Sequence, residues 1–369
     1  MSRNILWLQW RDIKHPWSGG AEVYMHEICR RLARLGMNVK VVASWFRGLK
    51  RAERIDGYYV QRVGSHEDYI LHVPQILRLY SEWADIIVED TSKVPLLTPL
   101  FRHQKTPVIA IVHHLNRDIY FQELPLYKAF IAYLLESIMP KLYSLLPDVT
   151  LVAVSKSTKE ELGRLGANLR RIRIVPNGIN EYELNDENLT CKDQKPTIIF
   201  FSRIKKYKQP HHMLLAFKKI LKQITNAKLI IAGKGTESLF KYLRRLKIDH
   251  ATEIYGEVDD ETKSRLLSRA WVLVQTSRKE GFGITVLEAA IHRTPTICYD
   301  VPGLRDAVMH MKTGILVNLN DIDELAKAIT LLLRNERLRN SLSRNAYHHA
   351  KRFNWDKSAR TFIKILEEL

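Results

Sequence analysis

The feature that most constrains this chain is a rhythm. Short, nearly continuous runs of Val, Ile and Leu alternate with longer amphipathic stretches, first in one half of the sequence and then again in the other. Ile5–Leu8, Val39–Ala43, Ile86–Glu89, Val108–Val112 and Leu151–Val154 are the runs of the first half. Thr197–Phe201, Leu229–Ala232, Glu253–Tyr255, Val272–Gln275 and Thr296–Tyr299 are those of the second. A strand that is apolar at every position must be covered on both faces, and a parallel sheet wound with helices meets that condition. The helical patterns Ala21–Leu35, His211–Leu221 and Asp259–Ser268 fill the intervals. Between the halves, Asn180–Lys195 is rich in Asn, Asp and Glu and poor in apolar residues, which reads as a linker. At 369 residues the chain has room for two domains of ordinary size.

Other classes are disfavoured by composition. Ile5–Leu8 is followed at once by Arg11 and Asp12, the pattern of a first strand and not of a signal peptide. No stretch is long and apolar enough to span a bilayer. Cys29, Cys191 and Cys298 are scattered and odd in number, so they build neither a disulfide framework nor a metal site, and a reducing, cytoplasmic setting is expected. The net charge of +18 is spread over both halves. Clusters such as Arg47–Arg51 with Arg54, and Lys241–Lys247, suit solvated faces or an anionic membrane surface. No nucleic-acid-binding motif accompanies them, so no nucleic acid partner is expected.

The chemistry concentrates at Glu280-Gly281-Phe282-Gly283-Ile284-Thr285-Val286-Leu287-Glu288. Glycine lets the backbone turn and approach a ligand, and the first amides of the helix that follows are an anion site. Carboxylates beside such a site repel phosphate and are suited to accept hydrogen bonds from neutral hydroxyls. A ligand with both phosphate and many hydroxyls is a sugar nucleotide.

This segment resembles the E-x7-E signature of retaining glycosyltransferases of the GT-B fold, family 4. Ser18-Gly19-Gly20-Ala21-Glu22, Val175-Pro176-Asn177-Gly178 and the pair Arg203 and Lys208 are similar to family landmarks in the expected order. The resemblance implies an α/β architecture of two Rossmann-like domains facing across a cleft. Residues 1–179 would form the acceptor-side domain, 180–195 the linker and 196–353 the nucleotide-sugar-binding domain. The last helix, about 354–369, would return to the N-terminal domain. It also implies roles. Arg203 and Lys208 bind the donor diphosphate, although Ser202 and Gln209 stand where the family often has glycine and Lys206 could compete. Glu288 accepts from the ribose hydroxyls and Glu280 from those of the transferred sugar. The amides of Phe282, Gly283, Ile284 and Thr285 cap the distal phosphate. Gly233 in Gly233-Lys234-Gly235 and Val258 in Gly256-Glu257-Val258 line the nucleotide pocket, and Gly19 and Gly20 approach the donor from the N-terminal domain. A histidine at the end of Val108–Val112 lies near the reacting sugar, and the register of His113 and His114 leaves both open, with His113 first. Ser155 reads as a helix N-cap before Thr158–Leu165.

The expected reaction is hexosyl transfer from a nucleoside-diphosphate sugar to a hydroxyl of a glycan or lipid-linked acceptor, with retention and no other cofactor. No metal is expected, since Asp259-Asp260 and Glu89-Asp90 lack the D-x-D spacing. Leu124–Leu146 reads as a helix kinked or ended by Pro140, either packed or lying on the cytoplasmic face of a membrane. Two rivals stand beside this reading: a nucleotide-sugar epimerase of the same fold, and a basic nucleic-acid-binding protein.

Overall fold

The computed structural model describes residues 3–102, 105–179 and 192–369. The chain divides into two compact units, Met1–Gly178 with Trp355–Leu369, and Ile179–Asn354. Most of the stretch read as a linker, residues 180–191 with Cys191, lies outside the described residues. Its described end is tied into the second unit. The Lys192 ammonium donates to the carbonyls of Ala270 (2.8 Å) and His292 (3.0 Å) and to the Thr294 hydroxyl (2.6 Å).

The first unit holds a sheet of β1 (Asn4–Leu8), β2 (Asn38–Ser44), β3 (Ala52–Ile55), β4 (Tyr58–Val63), β5 (Ile86–Thr91), β6 (Val108–Val112), β7 (Val149–Ala153) and β8 (Ile172–Ile174). Their spatial order is β3-β4-β2-β1-β5-β6-β7-β8. All neighbours are parallel except β3 and β4, a hairpin turned on Asp56 and Gly57 with φ of 43° and 96°. Both turn residues sit in the left-handed region, as the tightest hairpins require. Ile5 to Leu8 are fully buried at the centre, as expected of a strand covered on both faces. The helix Trp355–Glu367 packs on the helix Gly20–Arg34. Phe362 stacks on Trp7 of β1 at 5.6 Å and Trp355 meets Tyr24 edge-on at 5.8 Å.

Of the two outcomes expected at Pro140, an end to the helix does not occur. The helix Leu126–Leu145 runs through Pro140 without ending. A proline at that place forfeits one backbone bond, and tertiary packing holds the turn, because Glu136, Met139, Pro140 and Tyr143 are all buried. The Glu136 carboxylate accepts from the amides of Asn116 (2.6 Å) and Arg117 (2.7 Å) and from the Tyr120 hydroxyl (3.0 Å).

The second unit holds β9 (Thr197–Phe201), β10 (Lys228–Ala232), β11 (Thr252–Ile254), β12 (Val272–Gln275), β13 (Thr296–Tyr299) and β14 (Gly314–Val317), all parallel. Their order is β11-β10-β9-β12-β13-β14. Counting from β9, this is 3-2-1-4-5-6, the order of dinucleotide-binding sheets, with its switch point between β9 and β12. β1 and β5 make the corresponding switch point of the first unit. Ligands of such sheets sit beyond the carboxyl ends of the strands that flank that point.

Candidate functional site

In the second unit, the loops after β9 and β12 meet over the switch point, and hydrogen bonds weld them. The Thr276 hydroxyl donates to the carbonyls of Lys208 (2.8 Å) and Gln209 (2.9 Å), and the Arg278 amide donates to the Tyr207 carbonyl (2.9 Å). This brings Lys208 onto Glu280, where ammonium and carboxylate form an ion pair. The Ser277 hydroxyl donates to the same carboxylate oxygen at 2.7 Å. Burial opposes the Lys208 charge, but the neighbouring Glu280 outweighs it and holds the ammonium above the ordinary lysine range. Arg203 lies half-buried in the same loop.

A second pair is built on Glu288 of the helix Ile284–Ile291. Glu288 Oε1 accepts from Lys263 Nζ at 2.8 Å, and the same ammonium reaches Asp260 at 2.8 Å. Lys263 and Ser277 are absent from the sequence expectations. Lys263 sits on the helix Asp260–Arg269, whose Asp259 cap marked a helix start and gave no sign of what the helix faces.

Two glycines keep these loops in place. A Cβ on Gly303, at φ 85°, would stand 2.2 Å from the Glu280 carbonyl oxygen. One on Gly233, at φ 125°, would stand 2.3 Å from the Ser202 carbonyl oxygen. The Gly233 amide donates to the Gly256 carbonyl (3.0 Å), and the Ser202 amide to that of Ala232 (2.9 Å). The loops after β9, β10 and β11 are thereby laced side by side, with Val258 half-buried just beyond. Gly233 is thus a packing position beneath the Arg203 loop.

The helix Ile284–Ile291 starts from Gly283 at φ 89°, with no side chain capping its first amides. The backbone of Ile284 and Thr285 is therefore available to an anion. The Phe282 ring turns inward, 4% exposed and 5.1 Å from Phe353, and only its backbone can serve a ligand. Among the described residues, no three His, Cys, Asp or Glu side chains gather as metal ligands.

In the first unit, His113 directly follows β6 with its Nε2 3.1 Å from Asp90 Oδ2, and the Tyr24 ring meets it edge-on at 5.2 Å. Both members of the pair are buried, and burial raises the Asp90 pKa against the lowering effect of His113. His114 is half-buried, 3.1 Å from the Asn116 side-chain oxygen. Asp90 is a further residue that sequence reasoning passed over, though Glu89-Asp90 at the end of an apolar strand was a visible signal. The Gly19 amide donates to Glu22 at 2.6 Å, which also accepts from Arg11 at 2.7 Å, so one amide at the start of helix Gly20–Arg34 is already satisfied. Ser155 caps the helix Lys156–Arg164 by accepting from the Thr158 amide at 3.1 Å.

Residues 18–182 match the Glycosyltransferase Family 4 profile and residues 181–349 that of Glycosyl transferases group 1. An uncharacterized glycosyltransferase of Methanocaldococcus jannaschii is 30% identical over 230 residues, 58% of each chain. The chain spans about half or less of the length of the curated relatives it matches. Among solved structures, sucrose-phosphate synthase from Thermosynechococcus elongatus superimposes with a TM-score of 0.80 at 18% identity, over 99% of this chain and 98% of that one. Anabaena HepE, solved with UDP and glucose, gives 0.76 at 17% identity, with all of both chains covered. These likenesses establish the two-domain α/β fold.

Proposed function

Since the chain belongs to the GT-B glycosyltransferases of group 1, we propose that it transfers a hexose from a nucleoside-diphosphate sugar to a hydroxyl of a glycan or lipid-linked acceptor. The observation that carries this reading is the double ion pair at the switch point of the second unit. Lys208 and Lys263 neutralise Glu280 and Glu288. An arriving diphosphate competes for Lys208 and adds Arg203 and the amides of Ile284 and Thr285. Glu280 is then released to accept from the sugar hydroxyls, while Glu288, steered by Lys263, accepts from the ribose.

The reaction needs only these parts. The bond between the anomeric carbon and the phosphate oxygen breaks, its electron pair stays on the diphosphate, and the cations and amides stabilise that charge. The acceptor oxygen bonds to the same carbon and gives its proton to the departing diphosphate. Approach from the face of the leaving group retains the configuration without a covalent enzyme intermediate, and the two cations take the part a metal would otherwise play. His113, aligned by Asp90, hydrogen-bonds the transferred sugar. Calorimetry of UDP, GDP and ADP tests this, with UDP included because HepE holds it. One diphosphate should bind in the micromolar range, lose about tenfold or more in Glu288→Ala, and bind equally in EDTA. Binding of none would overturn the donor reading, and loss in chelator would overturn its metal-free part.

Attachment to an anionic membrane surface belongs to the same proposal. The helix Leu126–Leu145 exposes Leu126, Tyr127, Phe130, Ile131, Leu134 and Ile138. Its exposed charges are Lys128 and Lys141, while its one carboxylate, Glu136, is buried. An apolar face rimmed by cations without exposed carboxylates suits an acidic lipid surface. Vesicle flotation should increase with anionic lipid content and fall in Phe130→Glu/Leu134→Glu. Equal flotation on neutral vesicles would overturn it.

A further inference from the structure

The first unit carries a ring cluster at its own switch point that the donor chemistry leaves unused. His15 and Trp17 come from the loop after β1, Phe46 from the loop after β2, His66 from the loop after β4, and Ser92 and Lys93 from the chain after β5. The His15 ring lies 5.1 Å from Phe46, 5.5 Å from Trp17 and 5.8 Å from His66, and Trp17 lies 5.4 Å from His66 and 5.7 Å from Phe46. Trp10 supports His66 from the core side at 5.8 Å.

Two properties separate this box from an ordinary core. Trp17 is 44% exposed although three rings hold it, and each meets it edge-on or tilted, with none stacked parallel. The polar atoms inside are also unanswered. His15 is 1% exposed, and its Nδ1 accepts from the Trp17 amide at 3.1 Å. Its Nε2 is buried with no hydrogen-bond partner among the described residues, as are His66 Nδ1 and Ser92 Oγ. Buried polar atoms are nearly always satisfied, so the two on neighbouring imidazoles, with Ser92 nearby in the chain before Lys93, call for a ligand or water to complete them. Burial drives both imidazoles toward the neutral form, His15 down to about 4 and His66 to about 3. Neutral imidazoles and a hydroxyl are partners for sugar hydroxyls, and indole is a platform for the apolar face of a sugar ring.

The local charge adds selectivity. The Lys93 ammonium lies against His66 and 5.7 Å from the Trp10 ring. Arg47, Lys50 and Arg51 follow Phe46 on the same loop, with no carboxylate from Trp45 to Arg51. Of the nearby acids, Asp12 is held by Arg62 and Glu22 by Arg11, while Glu67 beside His66 is exposed.

We propose that this box is the acceptor subsite and that it selects a pyranoside bearing an anionic group. The ring stacks on Trp17, its hydroxyls complete His15, His66 and Ser92, and the anion faces Lys93 and the Arg47–Arg51 rim. The assignment rests on the glycosyl-transfer reading, since it gives the second substrate of that reaction.

The test is binding to the full chain by saturation-transfer NMR and calorimetry, with methyl glucoside, glucuronate, glucose 6-phosphate and inorganic phosphate as probes. Both anionic sugars should bind about tenfold tighter than methyl glucoside. Trp17→Ala should weaken them about tenfold or more, and Trp17→Phe should restore most of the loss. Lys93→Met should abolish the preference for the anionic sugars while leaving methyl glucoside unchanged. Nucleotide binding by the same variants separates the two claims. If the nucleotide binds and Trp17→Ala changes nothing, the subsite is wrong and the donor reading stands. If the wild-type chain binds no nucleotide, the donor reading falls. Inorganic phosphate binding as tightly as glucose 6-phosphate would also overturn the subsite, since an anion site without a sugar platform would remain.

Discussion

At the switch point of the second unit, lysines answer the carboxylates: Lys208 holds Glu280 and Lys263 holds Glu288. At that of the first, Gln9, His15, Asp90 and Ser92 each carry at least one buried polar atom with no partner among the described residues. The same sheet geometry thus carries two different fillings. A site for a diphosphate must cope with large charge, so it stores its cations against carboxylates until the ligand exchanges them. A site for neutral hydroxyls gains nothing from stored charge, and unanswered donors and acceptors leave the hydrogen bonds for the ligand to supply. The comparison assigns the diphosphate charge to the second unit, and hydroxyl recognition with one anion at the Lys93 rim to the first.

The harshest way to break this comparison is Lys208→Ala. The substitution removes a cation from the leaving group and takes from Glu280 the ammonium it pairs with, leaving Ser277 among its donors. The loss of kcat/KM should be about 10²–10³-fold, measured as nucleoside diphosphate released from the donor. Lys93→Ala, in the first unit, should alter acceptor KM and leave donor binding intact. Equal damage to donor binding by both would erase the division of labour.

How far this division was legible in the sequence follows from what each part depends on. Strand runs such as Val108–Val112 and Thr197–Phe201 were readable because burial on both faces forces continuous apolar sequence, and their bounds coincide with β6 and β9. The short strands β8 and β14 lie at sheet edges, where that demand relaxes, and they passed unseen. The hairpin β3–β4 was also missed, although Asp56-Gly57 is the dipeptide that such a turn requires. Glu280, Glu288, Arg203 and Lys208 stood out as candidates because their local turns leave a sequence trace. Lys263 and the His15–His66 box did not, since their neighbours come from distant segments and only the folded sheet brings them together. At Pro140 the sequence left the end of the helix open, because the cost of a helical proline is local, whereas the packing that offsets it is not.

A gentler test of the first unit is Asp90→Asn. The change keeps shape and burial but removes the charge that faces His113 at 3.1 Å. In the proposed reaction Asp90 acts through His113, as a positioning residue. The expected outcome is a fall in kcat of about 10-fold to 100-fold with KM for the donor little changed, together with a shifted pH profile. A pure stability defect would instead lower Tm and leave the profile in place, and that result would remove Asp90 from the reaction.

The smallest effect is in pH, and it sharpens the comparison because burial holds both imidazoles of the first unit's box neutral. Folding lowers the pKa of His15 from 6.5 to about 4 and that of His66 to about 3, burial being the main cause for each. Between 6.5 and the lowered values, the unfolded chain takes up protons that the folded cluster refuses. Stability is therefore complete above pH 6.5 and declines as pH falls toward 4. For His15, almost wholly buried, the loss by pH 4 is on the order of 2–3 kcal/mol. Urea melts from pH 7.5 to 4 should show this decline, and His15→Gln should flatten it by the His15 share while preserving the nucleotide-binding isotherm at pH 7. An unchanged slope in His15→Gln would mean that water reaches the imidazole and protonates it freely, and the box would then lack the dry, neutral interior on which its selectivity depends.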